Sequence, residues 1–215
     1  MNANTILYLI IGIILFDTVL SFTLDWLNIK NRTQKLPEIV KDIYKEDEYK
    51  KSLDYQDTNT RFSFLGASFN LILTLGMLIT GGFGLVSSWL EQYTTDPIYL
   101  ALLFFGLLFI ASDILQTPFS WYQTFNIEER FGFNKMTKKL FVMDKLKGYL
   151  LGAILGGLIM YALLFLITEI GANFWIYFWG VIVVFMLVMQ MFYTSLIMPL
   201  FNKLVGRFFE RLSIN

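Results

Sequence analysis

All 17 Lys and Arg residues of this chain fall in two segments between apolar runs and in the C-terminal end. The first segment holds Lys30, Arg32, Lys35, Lys41, Lys45, Lys50, Lys51 and Arg61, the second Arg130, Lys135, Lys138, Lys139, Lys145 and Lys147, and the end Lys203, Arg207 and Arg211. The remaining inter-run segments, around Met1–Asn4, Glu91–Asp96 and Glu169–Asn173, carry none. Basic and non-basic segments alternate strictly, which is the pattern the positive-inside rule imposes on a multi-spanning membrane protein. A hydrocarbon core of about 30 Å needs roughly 20 helical residues to cross it, and only helices or closed barrels satisfy their backbone there. The apolar runs at 5–27, 62–90, 97–118, 149–168 and 174–200 meet that length. The expected fold is therefore all-α, with five transmembrane helices, the N-terminus outside and the C-terminus cytoplasmic. Residues 1–203 form the membrane domain, and 204–215 a basic amphipathic tail along the cytoplasmic interface. With no basic residue before Thr5 and no small-residue cleavage pattern after Leu20, the first run reads as a retained span.

Composition agrees: the chain is 56% hydrophobic and 18% aromatic, with a net charge of +0. The basic residues sit beside acids, so no electrostatic footprint for nucleic acid is present. The absence of both Cys and His rules out disulfides and leaves no ordinary zinc, haem or iron–sulfur ligand set.

Polar groups at membrane depth are costly and therefore informative. Asp17, Asn70, Asp113, Gln116 and Gln190 lie within the spans and are expected to face inward, either bonding neighbouring helices or lining a hydrated chamber. Gly148, Gly152 and Gly156 place three side-chain-free positions on one face of span four, for close helix packing. Gly81, Gly82 and Gly84 suggest a loosened end or bend in span two.

Both basic inter-span segments look organised. In the first, Leu36, Pro37 and Glu38 offer a helix start, and Ile39, Val40, Ile43 and Tyr44 recur at helical spacing. Asp47 and Glu48 suit a second start, and 49–64 contains no breaker, so this helix should run straight into span two. The second segment is expected as an aromatic-rich loop whose Phe125, Ile127, Phe131 and Phe133 pack on the bilayer interface or on a further domain. An amphipathic helix from about Thr137, with Leu140, Phe141, Asp144 and Leu146, then leads into span four. Glu128 and Glu129 are adjacent carboxylates, yet neighbouring helical positions point about 100° apart and do not converge as an acid/base pair.

The order of these residues is familiar. Leu36, Pro37 and Glu38 come first, then Lys51, Ser52 and Tyr55 with Arg61 and Phe62. There follow Pro118, Phe119, Ser120, Tyr122, Thr124, Phe125, Ile127, Glu128, Glu129, Phe131, Gly132, Phe133, Asn134 and Lys135, and finally Pro199 through Asn202 and Lys203. Over roughly residues 27–203 the chain resembles the N-terminal membrane half of the type-1 CAAX prenyl proteases. The resemblance implies helices around a chamber within the bilayer and a cytoplasmic zinc metalloprotease domain that trims the last three residues of a prenylated protein. It also implies that the zinc is held by an HExxH helix and a more distant Glu, C-terminal to the segment matching Pro199–Lys203. After Lys203 the sequence departs from the family's Phe-Thr-Pro-Leu run, with Leu204, Val205, Gly206 and Arg207.

With no His, these residues contain no HExxH, so no catalytic group, zinc ligand or cofactor is expected in this chain; zinc belongs to the complete family enzyme. The expected role is to form chamber walls and dock a catalytic half, in cis or in trans, for a lipidated or membrane-associated peptide substrate. Membrane lipid is the remaining expected partner. The alternative is a stand-alone, non-catalytic scaffold or partner-binding protein derived from that family. A transporter lacks support, since no inverted repeat or broken helix pair is visible. Abundant Lys, Asn and Ile suggest a bacterial cytoplasmic membrane.

Overall fold

The computed structural model describes residues 2–32 and 45–201. The expected short helix at 36–44, the motif residues Asn202 and Lys203, and the tail at 204–215 lie outside the described residues.

Every described regular element is helical. The first helix, α1, is Ala3–Lys30, and α2, Glu46–Ile79, runs without a break from the basic segment into the apolar run, as the absence of a breaker in 49–64 predicts. Glu46, Asp47 and Glu48 occupy its first turn, where carboxylates complement the helix dipole. The glycine cluster ends α2: the chain turns at Gly81 (φ 69) into the short helix α3, Gly82–Leu90. Asp96 then caps α4, Pro97–Tyr122, its Oδ1 accepting the N–H groups of Ile98 (2.9 Å) and Tyr99 (3.0 Å), with Pro97 at the first helical position.

The expected loop after span three is instead a continuation of this helix. A π-helical turn, Gln123–Glu128, leads into α5, Glu129–Phe131. Pro118 lies inside α4 and removes one backbone donor, while Thr117 Oγ1 donates to the Asp113 carbonyl (2.7 Å) and Ser120 Oγ to that of Gln116 (3.3 Å). Hydroxyls and local π adjustments are how membrane helices accommodate proline.

Thr137 caps α6, Lys138–Leu151, by accepting the Leu140 N–H. A helix was expected there; of the residues expected along it, Phe141 is buried, whereas Leu146 is exposed. A second π-helical turn, Gly152–Gly156, joins it to α7, Gly157–Ile170; after Gly171–Asn173 comes α8, Phe174–Phe192. A third π-helical turn, Tyr193–Ile197, and α9, Met198–Phe201, follow.

Among the described residues, by length and apolarity alone, four stretches suffice to cross a membrane, the last being Lys138–Ser195. Gly171 divides it: φ 66 and ψ −133 form a reversal open to glycine but strained for any L side chain. The two helices thus formed, α7 and α8, pack on each other across an apolar groove lined by Leu158, Ala162, Gly180, Val184 and Val188.

The chain divides into two compact units, residues 1–89 with 111–135, and residues 90–110 with 136–215. In the first, α1 and α2 run antiparallel, with Phe22 edge-on to Phe64 (5.0 Å) and Arg32 paired with Asp57. The end of α4 runs antiparallel to α2 on another side: Phe119 meets Phe69, Tyr122 stacks on Phe62, and Phe131 meets Tyr55. In the second unit, a Cβ added at Gly152 would stand 3.5 Å from the Phe109 ring, whereas one at Gly148 or Gly156 would meet open space. The neighbour of that glycine stripe is therefore an aromatic ring, at one of the three positions, and not a backbone.

Few apolar side chains are buried among the described residues: Leu90, Ile127, Phe131 and Phe141. Large ones along the helices are open, such as Ile72 at 71%. A water-soluble fold would not leave such faces uncovered, but acyl chains are as apolar as the side chains they meet.

Candidate functional site

Helical geometry gathers the polar residues of the first unit into a seam. On α2, Asn59, Ser63 and Asn70 are spaced by four and seven residues, and on α4 and its π turn Gln116, Ser120 and Gln123 by four and three, so each set lies within a narrow arc. The two arcs meet: Gln116 Nε2 donates to Asn70 Oδ1, and Gln123 Nε2 donates to Asn59 Oδ1. Interhelical bonds of this type in membranes are worth about 0.6 kcal/mol each, so they fix register more than they stabilise. At one end the seam opens into a cleft of about 400 Å³ lined by Asp25, Asn59, Thr60, Ser63 and Gln123. These groups can hold water and the polar atoms of a peptide. They comprise no nucleophile with an adjacent base and no convergent carboxylate pair.

Asn70 and Gln116, two of the expected inward-facing groups, are thus joined. Asp113 lies one turn before Gln116, its carbonyl bonded by Thr117. Asp17 is exposed on α1, about 80° around the helix from Asp25, and Gln190 is exposed on α8 in the second unit. Asn59, Ser63 and Gln123 of the seam, and Asp25 of the cleft beside it, were not singled out from the sequence. The signal that would have found Ser63 and Gln123 is the shared seven-residue spacing of Gln116 to Gln123 and of Ser63 to Asn70.

A second cluster joins the two motif segments. Phe131 (5.4 Å) and Phe133 (4.8 Å) both meet the Tyr55 ring edge-on, and Lys51 Nζ lies 5.7 Å from the Phe133 ring centre. Gly132 makes this possible. It ends α5 in the left-handed region (φ 77), its N–H donating to the Glu129 carbonyl (3.0 Å) and that of Phe133 to the Glu128 carbonyl (2.8 Å). The Asn134 N–H also reaches the Glu128 carbonyl (3.2 Å). Glu128 and Glu129 therefore serve this turn through their backbone. The aromatic segment packs on α2 of the same chain, where the bilayer interface or a further domain was expected, because antiparallel α4 carries it down alongside Tyr55. Ser52 is half-buried one turn before Tyr55, Pro118 is exposed within α4, and Tyr122 stacks on Phe62 at 5.0 Å.

In the second unit Lys147 Nζ bonds Asp144 (3.2 Å) and the Leu200 carbonyl (2.6 Å), tying α6 to the helix end that leads to the last motif. No group of three or more acidic side chains able to hold a metal ion exists among the described residues, and the chain has neither His nor Cys. These residues do not fit a zinc ion.

Fold and seam together define a polytopic helical membrane domain with a polar interhelical seam. The chain belongs to the CAAX prenyl protease N-terminal family, characterised by five membrane helices, which it matches over residues 25–203. It is 34% identical over 184 residues to the probable CAAX prenyl protease 1 of Schizosaccharomyces pombe, covering 79% of this chain and 39% of that protein. It is 34% identical over 169 residues to the CAAX prenyl protease 1 homolog of Caenorhabditis elegans, covering 79% and 37%. The crystal structure of S. mikatae Ste24p superposes with a TM-score of 0.74 at 27% identity, over 92% of this chain and 48% of that one. The chain thus spans less than half the length of these relatives. All three are eukaryotic, so they lend no support to the bacterial source suggested by composition.

Proposed function

We propose that this chain is the membrane-embedded half of a CAAX-protease-like zinc metalloendopeptidase, forming chamber walls and docking a catalytic zinc domain supplied in cis or in trans. The observation that carries this reading is the polar seam of α2 and α4, held in register by Asn70–Gln116 and Asn59–Gln123 within the segment that matches the family. A seam of neutral amides and hydroxyls hydrates a cavity without offering a competing nucleophile, which suits a wall better than a reaction centre. The Tyr55, Phe131 and Phe133 cluster stiffens the end of the bundle where the second domain would seat. A prenylated or membrane-associated peptide would gain about 0.8 kcal/mol for each CH₂ it buries against apolar helix faces. Catalysis would rest with the docked domain, because no group among the described residues fits the metal.

The proposed orientation has the N-terminus outside and the basic segments cytoplasmic, supported by the placement of Lys and Arg. It holds equally for a bacterial plasma membrane and for an endoplasmic reticulum whose lumen replaces the outside. Single cysteines at Tyr93 and Lys138 are expected to react with an impermeant maleimide from opposite faces of sealed vesicles. Labelling of both from one face would refute the orientation.

A further inference from the structure

Away from the seam, α2 and the end of α4 enclose a pocket of about 230 Å³ that contains two arginines, Arg61 and Arg130, with Thr58 and Asn126 beside them and no acidic residue in its lining. Steps of 100° along α2 place Arg61 and Leu65 about half a turn from Asn59, Ser63 and Asn70, so this pocket and the polar seam occupy opposite sides of the helix. Neither guanidinium is paired with a carboxylate among the described residues. Among the described residues Arg130 meets the Phe131 ring, at 5.7 Å. Two like charges sharing one concavity repel, and a bound anion relieves both at once.

Depth and polarity narrow the anion. Arg61 immediately precedes the run 62–90, which contains no Lys, Arg, Asp or Glu, and so marks the level at which the apolar part of α2 begins. One turn into that run, Leu65 lines the same pocket and is 63% exposed, while Ile127 forms its buried floor. The pocket is therefore charged at the headgroup level and apolar on the side toward the acyl chains, the polarity of an anionic amphiphile. Basic residues at a membrane boundary attract anionic lipids, and guanidinium binds phosphate oxygens in paired hydrogen bonds.

We propose that Arg61 and Arg130 together bind the phosphate of an anionic phospholipid headgroup, with Asn126 and Thr58 as further donors and the acyl chains running along Leu65. This assignment depends on the depth and chemistry of the pocket and not on any protease role. It is tested with the purified chain in nanodiscs of phosphatidylcholine, with and without phosphatidylglycerol, by counting retained lipids in native mass spectrometry. Phosphatidylglycerol is expected to be retained over phosphatidylcholine, and this retention to weaken about 30-fold in Arg61→Gln/Arg130→Gln. Lys138→Gln/Lys139→Gln loses the same charge elsewhere and should keep the selectivity; circular dichroism of both variants checks that the helices persist. Equal loss in the two variants, or none in the arginine variant, would overturn the proposal. Retention of inorganic phosphate without phosphatidylglycerol selectivity would show a free-anion site and overturn the lipid assignment. Cross-linking of Thr58→Cys to a polypeptide in source membranes, with no retained lipid, would overturn it in favour of an acidic protein segment.

Discussion

Tyr55→Ala is expected to destabilise the first unit by about 2–3 kcal/mol. Removing a packed aromatic ring from a core costs about 3–5 kcal/mol, and each aromatic pair adds about 0.5–1.5 kcal/mol beyond its area. The Tyr55 ring serves two such pairs, with Phe131 and Phe133, but is itself only half-buried, which brings the total below the core range. Reversible unfolding in mixed micelles measures the effect against two controls. Tyr55→Phe keeps both ring contacts and should fall within about 0.5 kcal/mol of the parent. Tyr8→Ala removes a ring that is 71% exposed on α1 and should cost far less than Tyr55→Ala. Equal losses in Tyr55→Ala and Tyr8→Ala would mean that the cluster is a contact without energetic weight.

Gly132→Ala is expected to cost about 1–2 kcal/mol, the penalty of holding an L residue in the left-handed region. Crowding does not account for it, since a Cβ there would stand 3.8 Å from Lys51 Nζ, an ordinary contact. Asn tolerates this conformation better, so Gly132→Asn should lie between the parent and the Ala variant. Identical stability of all three would show that the turn does not depend on φ 77 at this position. Because Gly132 aims Phe133 at Tyr55, the two substitutions share one interaction, and Gly132→Ala combined with Tyr55→Ala should cost less than the sum of each alone.

Those two residues also show what a linear chain conceals. Lys51, Tyr55 and Gly132 were visible as motif members, but their meeting depends on the antiparallel run of α2 and α4, which no local pattern encodes. The continuous α2 was legible because Asp47 and Glu48 mark a start and 49–64 lacks a breaker, and the apolar run expected from 97 coincides with the start of α4. The helical course of 118–131 was not, since Pro118 ordinarily ends a helix in water; in a membrane protein Thr117, Ser120 and the π turn at Gln123 let it pass. Depth in the membrane could be read from hydropathy, whereas the side of the helix needed its neighbours. That is why Asp17 was weighed as an interior group and Asp25, which lines the cleft, was not. Asn70 and Gln116 were both expected to face inward; the structure joins them by a hydrogen bond, with Asn70 itself exposed.

The proposal that this membrane domain works with a zinc protease domain is tested most directly by capture. An antibody to residues 45–61 would recover the native protein from its source membranes in mild detergent, for intact mass, elemental analysis and cleavage of a farnesylated CAAX peptide. The predicted result is about one zinc ion per chain and release of the last three residues, abolished by a chelator, whether the metal resides on the same polypeptide or on a copurifying one. Recovery of a 25.0 kDa species with neither zinc nor cleavage would contradict it and identify a stand-alone scaffold.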